Sequence, residues 1–264
     1  MRVWLPERIS TYAPAIDRLF YIVLAITGTA FVLVQGTLLY FLVRYRGGAG
    51  RRATYTHGNT LVEIIWTAVP AAILIVLAFY SQRVWSYVRG TPPATDLQVQ
   101  ILAEQFAWNI RYAGPDGRFD TSDDITTINQ LHLPVDEPVL LHLKSKDVIH
   151  SFFVPQFRVK QDAVPGITTR LWVQVTKAGT YDIACAELCG LGHYRMRGFL
   201  TAEPRDTFAQ WLQAAELEQH PPPAPEPTAG EPGAESAPTS ASAPSAPAPE
   251  SQPASPTPQE LLHP

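Results

Sequence analysis

Sulfur is scarce in this chain: two cysteines and two methionines among 264 residues. At most one internal disulfide can form, so no disulfide framework supports the fold. No Cys-x-x-Cys-His occurs, so this sequence carries no attachment site for a c-type haem. Charge is missing in blocks. Leu19 to Val43 and Ile64 to Gln82 hold no charged residue, and from Ala215 onward there are 7 Glu and no Lys or Arg. The first 93 residues are basic, with 9 bases against 3 acids, while Ala94 to Asp206 has 14 acids against 11 bases. An acidic outer part on a basic anchor argues against nucleic acid and fits a basic soluble partner.

The two uncharged runs are each about the length that spans a bilayer as a helix, roughly 20 residues. Their adjacency favours a membrane hairpin over two buried core helices. The first run is longer than the apolar part of a secretory signal and no small-residue cleavage pattern follows it, so it reads as a retained anchor. The loop between them carries Arg44, Arg46, Arg51 and Arg52 before the lone acid Glu63. Arg-rich short loops stay on the cytoplasmic side, which places both termini and the rest of the chain outside. The localisation expected is a bacterial-type inner membrane, crossed twice.

Four regions follow: an outer segment over 1–18, a transmembrane hairpin over 19–90, a soluble domain over 91–214 and a tail over 215–264. Thr91-Pro92-Pro93 breaks the second helix. In the soluble domain apolar and polar residues alternate over 97–101 and 171–175, 139–143 is another short run, and a tight turn over 177–180 precedes a strand over 181–184. Short strands punctuated by Pro134, Pro138 and Pro165 suggest a β-sandwich or barrel. An amphipathic helix over 207–217 packs Phe208, Trp211 and Leu212. The tail is Pro, Ala, Ser, Glu and Thr, too polar to offset its ordering entropy, and is expected to be disordered. The run 114–124 is rich in Asp but lacks full calcium-loop spacing, so it reads as a solvated hairpin loop.

Both cysteines fall in Cys185-Ala186-Glu187-Leu188-Cys189-Gly190-Leu191-Gly192-His193-Tyr194-Arg195-Met196. A small disulfide loop would leave His193 and Met196 without a purpose and would stabilise little. Thiolate, thioether and imidazole together point to copper rather than calcium or magnesium, and a zinc site would more often add Cys or His than Met. Two thiolates can bridge two copper ions, each of which then needs a nitrogen. His193 supplies one. His150, in Val148-Ile149-His150-Ser151-Phe152, is the candidate for the other.

His150-Ser151-Phe152 followed by Cys-x-Glu-x-Cys-Gly-x-x-His-x-x-Met resembles the dinuclear copper (Cu-A) domain of cytochrome c oxidase subunit II. The segments 62–70 and 160–166 also look like the family's second span and the loop before its copper segment. The resemblance implies an α+β membrane protein: a two-helix hairpin followed by a cupredoxin-like β-barrel. It implies Cys185 and Cys189 as bridging ligands and His150 and His193 as terminal ones. Met196 and the Glu187 main-chain carbonyl become the weak ligands. It further implies that the Glu187 carboxylate binds Mg2+ or Mn2+ at the border with subunit I, and that Glu63 stands at the mouth of a proton channel. The implied partners are subunit I, subunit III, membrane lipid and cytochrome c as donor. The haems lie in the partner subunit only, so the chain serves an oxidoreductase and translocase without catalysing alone.

Electron acceptance falls to Phe106 and Trp108 in Gln105-Phe106-Ala107-Trp108-Asn109, where Phe106 replaces a Trp of the family pattern. Three rivals stand beside this reading. A quinol oxidase subunit lacks the copper ligands that are complete here. A nitric oxide reductase has a similar copper subunit, although Glu63 favours the oxidase. A membrane-anchored copper carrier would be expected to expose more Met or Cys.

Overall fold

The computed structural model describes residues 5–48, 50, 52 and 54–222. Arg2, Arg51 and the tail from 223 onward lie outside the described residues. Two helices, α1 (Ala13–Arg44) and α2 (Thr60–Arg89), are long and apolar enough to cross a membrane. Their flanks leave Phe31, Leu33 and Leu74 more than half exposed. Water would penalise such surface, at about 25 cal/mol per Å² of apolar area, whereas lipid or a neighbouring apolar helix would not. Asn59 starts α2 by accepting the Val62 N–H through its side chain at 3.2 Å. Gly90 and the prolines beyond it end that helix.

The hairpin begins earlier than position 19. Pro14 sits in the first turn of α1, where its missing N–H costs nothing, and the helix starts at Ala13. Nor is the segment before it a separate outer piece. Ile9, Ser10, Tyr12 and Ala13 are buried, and Ser10 forms a bridge with Val175. The Ile9 N–H donates to the Gln156 carbonyl at 3.1 Å, and the Thr176 N–H donates to the Ile9 carbonyl at 2.7 Å. The reason is apolar: Ile9 completes the core of the β domain.

That domain is a sandwich of two five-stranded sheets. The first runs β3 (Ile125–Ile128), β2 (Ala107–Tyr112), β1 (Gln98–Glu104), β5 (Pro138–Ser145), β8 (Thr169–Gln174). The second runs β4 (Gln130–Pro134), β10 (Arg197–Glu203), β9 (Gly179–Cys185), β6 (His150–Val154), β7 (Val159–Ala163). β1 and β5 pair in parallel, as do β4 and β10, while the remaining neighbours are antiparallel. Alternation in the sequence becomes alternation in burial: in β2, Trp108, Ile110 and Tyr112 point inward and their neighbours do not. These side chains meet Val99, Leu131, Leu141, Phe152, Ile183 and Leu200 in one core.

Two contacts fasten the sandwich to the hairpin. Arg158 ends the one-turn segment Pro155–Phe157 in the left-handed region, at φ 71°. Its Nε donates to Asp17 of α1 at 2.6 Å, and its other nitrogens reach the Pro6 and Pro155 carbonyls. On α2, the Val88 carbonyl accepts from Trp172 Nε1 at 2.9 Å, and Arg89 donates to the Lys160 carbonyl and to Gln161. Tyr12, Val84, Val88 and Trp172 form a small apolar cluster at this junction.

α3 (Arg205–Gln219) lies against the β domain, so the tail expected from 215 starts later. Ala215 packs on the core and Gln219 accepts from Thr126, which holds the last turn in place. Trp211 stacks on His132 at 3.9 Å, and His132 in turn pairs with Glu203 at 2.9 Å. In the acidic loop, Asp124 accepts the N–H groups of Asp120 and Thr121, and Asp120 pairs with Arg111 and Lys144. Protein donors thus meet these carboxylates, as the hairpin-loop reading expected.

Candidate metal centre

Two loops and one strand start build the site. β9 ends at Cys185, and the chain then turns through Glu187 to Gly190 and a one-turn segment at His193–Arg195 before entering β10. Gly190 takes φ +127°, a conformation that side chains rarely adopt, and it lets the loop fold back over its own cysteines. β6 pairs with β9 between Phe152 and Cys185, which sets His150 beside the loop.

The donor atoms converge. Cys185 Sγ and Cys189 Sγ are 3.8 Å apart and both thiols are free. A disulfide needs about 2.05 Å, so the pair is poised to share an ion rather than bond to each other. Cys189 Sγ lies 3.6 Å from His193 Nδ1 and 3.8 Å from Met196 Sδ. His150 Nδ1 lies 3.2 Å from Met196 Sδ and 3.9 Å from Cys185 Sγ. The Glu187 carbonyl stands 3.3 Å from Cys185 Sγ. His150, Cys185 and Cys189 form the one metal-capable cluster among the described residues. Sulfur and imidazole donors in this density suit copper.

Burial shapes the chemistry. Cys189, Met196 and His150 are buried, and Cys185 is partly so. Burial, then the neighbouring Cys185, pushes the Cys189 thiol up to about 11. A bound cation would reverse that penalty, because the metal ligand is the thiolate.

Asp147 is the residue that sequence reasoning missed. Its Oδ1 lies 2.8 Å from His150 Nε2. That contact makes Nε2 the donor and leaves Nδ1, the nitrogen facing the sulfurs, with a free lone pair. Burial works to raise the Asp147 carboxyl, but hydrogen bonds from His150 and from the Gln105 and Val148 N–H groups outweigh it and hold it low. Its position three residues before His150 was the available signal.

The remaining expected residues sit apart. Phe106 is partly exposed and lies on the ligand loop, its ring packed where side chains at Gly190 and Gly192 would stand. Trp108 is fully buried, edge-on to His150 at 6.2 Å. As a surface for a donor protein Trp108 is therefore corrected: the alternation of β2 turns it into the core, and only Phe106 reaches solvent. The Glu187 carboxylate points outward, 3.6 Å from Lys160 Nζ. Glu63 lies in the first turn of α2, exposed and far from the cluster in the chain.

Comparison with known proteins gives the family. The family model "Cytochrome C oxidase subunit II, periplasmic domain" matches residues 74–202, and "Cytochrome C oxidase subunit II, transmembrane domain" matches residues 1–84. An alternative cytochrome c oxidase subunit 2 of Bradyrhizobium diazoefficiens is 34% identical over 232 residues, covering 80% of this chain and 83% of the relative. The cytochrome c oxidase subunit 2 of Thermostichus vulcanus is 33% identical over 261 residues, covering 78% and 77%. The crystal structure of the periplasmic domain of subunit II from Bradyrhizobium japonicum is 26% identical, with a TM-score of 0.43, covering 48% of this chain and 99% of that one. The two family models, which together span residues 1–202, and relatives 33–34% identical over about four fifths of the chain place it in the cytochrome c oxidase subunit II family.

Proposed function

We propose that this chain accepts electrons from a cytochrome c outside the membrane at a two-copper centre and passes them to haem in subunit I. There they serve the reduction of oxygen to water, coupled to proton translocation. The observation that carries the reading is the convergence of two free thiols, two imidazoles, one thioether and one carbonyl where β6 meets the loop after β9, with His150, Cys189 and Met196 buried. When bound, the copper pair supplies a one-electron relay whose added charge is shared between two ions.

The protein's own part is to hold and to shield. Cys185, Cys189, His150 and His193 would hold the two ions through sulfur and nitrogen, with Met196 and the Glu187 carbonyl as weaker donors. Strand-anchored ligands change position little, which keeps reorganisation small. Asp147 fixes the His150 ring, and the core behind Trp108 and Phe152 excludes water. Phe106 covers the loop on the solvent side and is the contact through which electrons arrive.

The outward carboxylate of Glu187 is placed to hold Mg2+ or Mn2+ against subunit I, exchanging Lys160 for a hard cation that prefers oxygen. Glu63 is placed for proton uptake on the cytoplasmic side, with both termini and the copper domain on the outer face of a bacterial inner membrane. Subunit III and lipid complete the surroundings of the hairpin. A copper carrier must surrender its ion, and the burial of Cys189, Met196 and His150 opposes ready exchange. The copper subunit of a nitric oxide reductase shares the donor set and differs in the terminal acceptor.

The test is metal analysis and spectroscopy of the purified complex, with oxygen uptake. Two coppers in this subunit, a mixed-valence spectrum and cytochrome c-driven oxygen uptake are expected. One copper or none, or nitric oxide consumed in place of oxygen, overturns the proposal.

A further inference from the structure

We infer that the donor-docking face of this subunit is apolar and charge-compensated, and that it fits an electron carrier whose exposed haem edge is ringed by uncharged side chains. The inference rests on the electron-relay reading and concerns the chemistry of the donor.

Around the ligand loop the largest exposed side chains are apolar, beside the charged Glu187 and Arg195. Leu191, between Cys189 and His193, is 98% exposed and Tyr194 is 82% exposed. Phe106 packs on the loop between them, against Gly190 and Gly192. Val148 and Ile149, also exposed, follow Asp147, whose carboxylate binds the Gln105 N–H beside Phe106. These residues come from the β1–β2 turn, the β5–β6 loop and the ligand loop, and they meet at one end of the sandwich.

Most carboxylates at this rim lie near cations. Glu104 pairs with Lys146 at 2.6 Å and Asp182 with Arg197 at 2.5 Å, and Lys160 lies between Glu187 at 3.6 Å and Asp162 at 3.9 Å, while Asp147 meets no cation among the described residues and accepts from the neutral His150 ring at 2.8 Å. Arg195, exposed beside Tyr194, adds a further positive charge. The domain's net acidity is thus only weakly expressed around the ligands, and a lysine-ringed partner would meet little uncompensated negative charge there. Electrostatic steering needs such charge, whereas a dry apolar contact does not. An apolar cluster that surrounds the metal loop of an electron acceptor is placed to exclude water between two cofactors. One electron then leaves the reduced donor haem and one arrives at the centre, with no proton exchanged.

The experiment uses the intact complex and two probes: a lysine-ringed c-type cytochrome and one with an apolar, uncharged ring. The second-order rate of electron capture is measured from about 10 to about 150 mM ionic strength, over which the screening length falls from roughly 30 to 8 Å. The apolar-ringed probe should react faster, with its rate changing less than about twofold across that range, against about tenfold or more for a steered pair. Leu191→Ser with Tyr194→Ser should slow capture and weaken probe binding by about tenfold, since a few central apolar residues carry most of an interface's energy. The copper spectrum and onward transfer after photo-injection from a small ruthenium complex should be unchanged. Steep salt dependence and preference for the lysine-ringed probe would overturn the inference. So would a double variant that binds and accepts electrons normally, or one that fails to assemble with the other subunits, which would mean that a neighbour covers the patch. If the ruthenium complex cannot reduce the centre at all, the relay reading itself falls.

Discussion

At the scale of single residues, the site is a set of donors whose preferences conflict until a metal arrives. The Cys189 thiol, buried and 3.8 Å from Cys185 Sγ, resists ionising: burial followed by Cys185 pushes it up to about 11 from its ordinary 9.0. A raised value in the folded state stabilises the metal-free fold below the unfolded thiol's value, and that contribution is lost as pH rises from about 9 to about 11. Copper loading moves oppositely: apparent affinity should rise with pH, and loading should release thiol protons. A pH-stat titration of metal-free protein with copper checks this, and no proton release would contradict it. Cys189→Ser should abolish the two-copper spectrum. Met196→Leu should keep both ions and shift the reduction potential, because a weak axial ligand tunes rather than holds. Asp147 could have been read from its spacing to His150, but its hydrogen bond to Nε2 could not.

At the scale of elements, the turn between β6 and β7 joins the strand that bears His150 to α1, while β7 and β8 reach α2. The Arg158–Asp17 pair on α1 has both side chains under 10% exposed. Arg158→Met would leave Asp17 buried without a partner, and the expected loss of stability is about 3–5 kcal/mol. Replacing both, with Asp17→Leu, should recover most of it. Thermal unfolding of the single and double variants in detergent decides the matter, and equal losses for both would refute the pairing. Gly192 carries a different constraint, since any side chain there meets the Phe106 ring. Gly192→Ala should displace Phe106 and slow electron capture while leaving the copper spectrum in place, read by rapid mixing with a reduced cytochrome c. The strands at 97–101, 139–143, 171–175 and 181–184 were legible as short apolar runs between turn residues, although among them only β5 alternates strictly in burial, Gln100 and Trp172 being buried along with their neighbours. The extension of α3 to Gln219 was not, because its last turn is held by Thr126, far away in sequence.

At the scale of the whole molecule, hairpin and sandwich form one compact unit over the described residues, stitched by Ile9 to Ala13, Trp172 and Arg89. A soluble fragment lacking 1–12 should be less stable than one that keeps Ile9 by chemical denaturation, because Ile9 is wholly buried in the sandwich core. Equal midpoints would show that the segment only lies on the surface. The sequence alone determined the two apolar spans, the strand-rich domain after them and the cysteine, histidine and methionine side chains that converge at one end of it. Each of those is written in local periodicity or in the spacing of residues with distinctive donor chemistry. Only the tertiary structure decided that the N-terminal segment belongs to the sandwich, that Trp108 is sealed while Phe106 faces solvent, and that Glu104 and Glu187 near the ligand loop meet Lys146 and Lys160. Those facts depend on which residues from distant parts of the chain come to share a contact, and no local pattern encodes that.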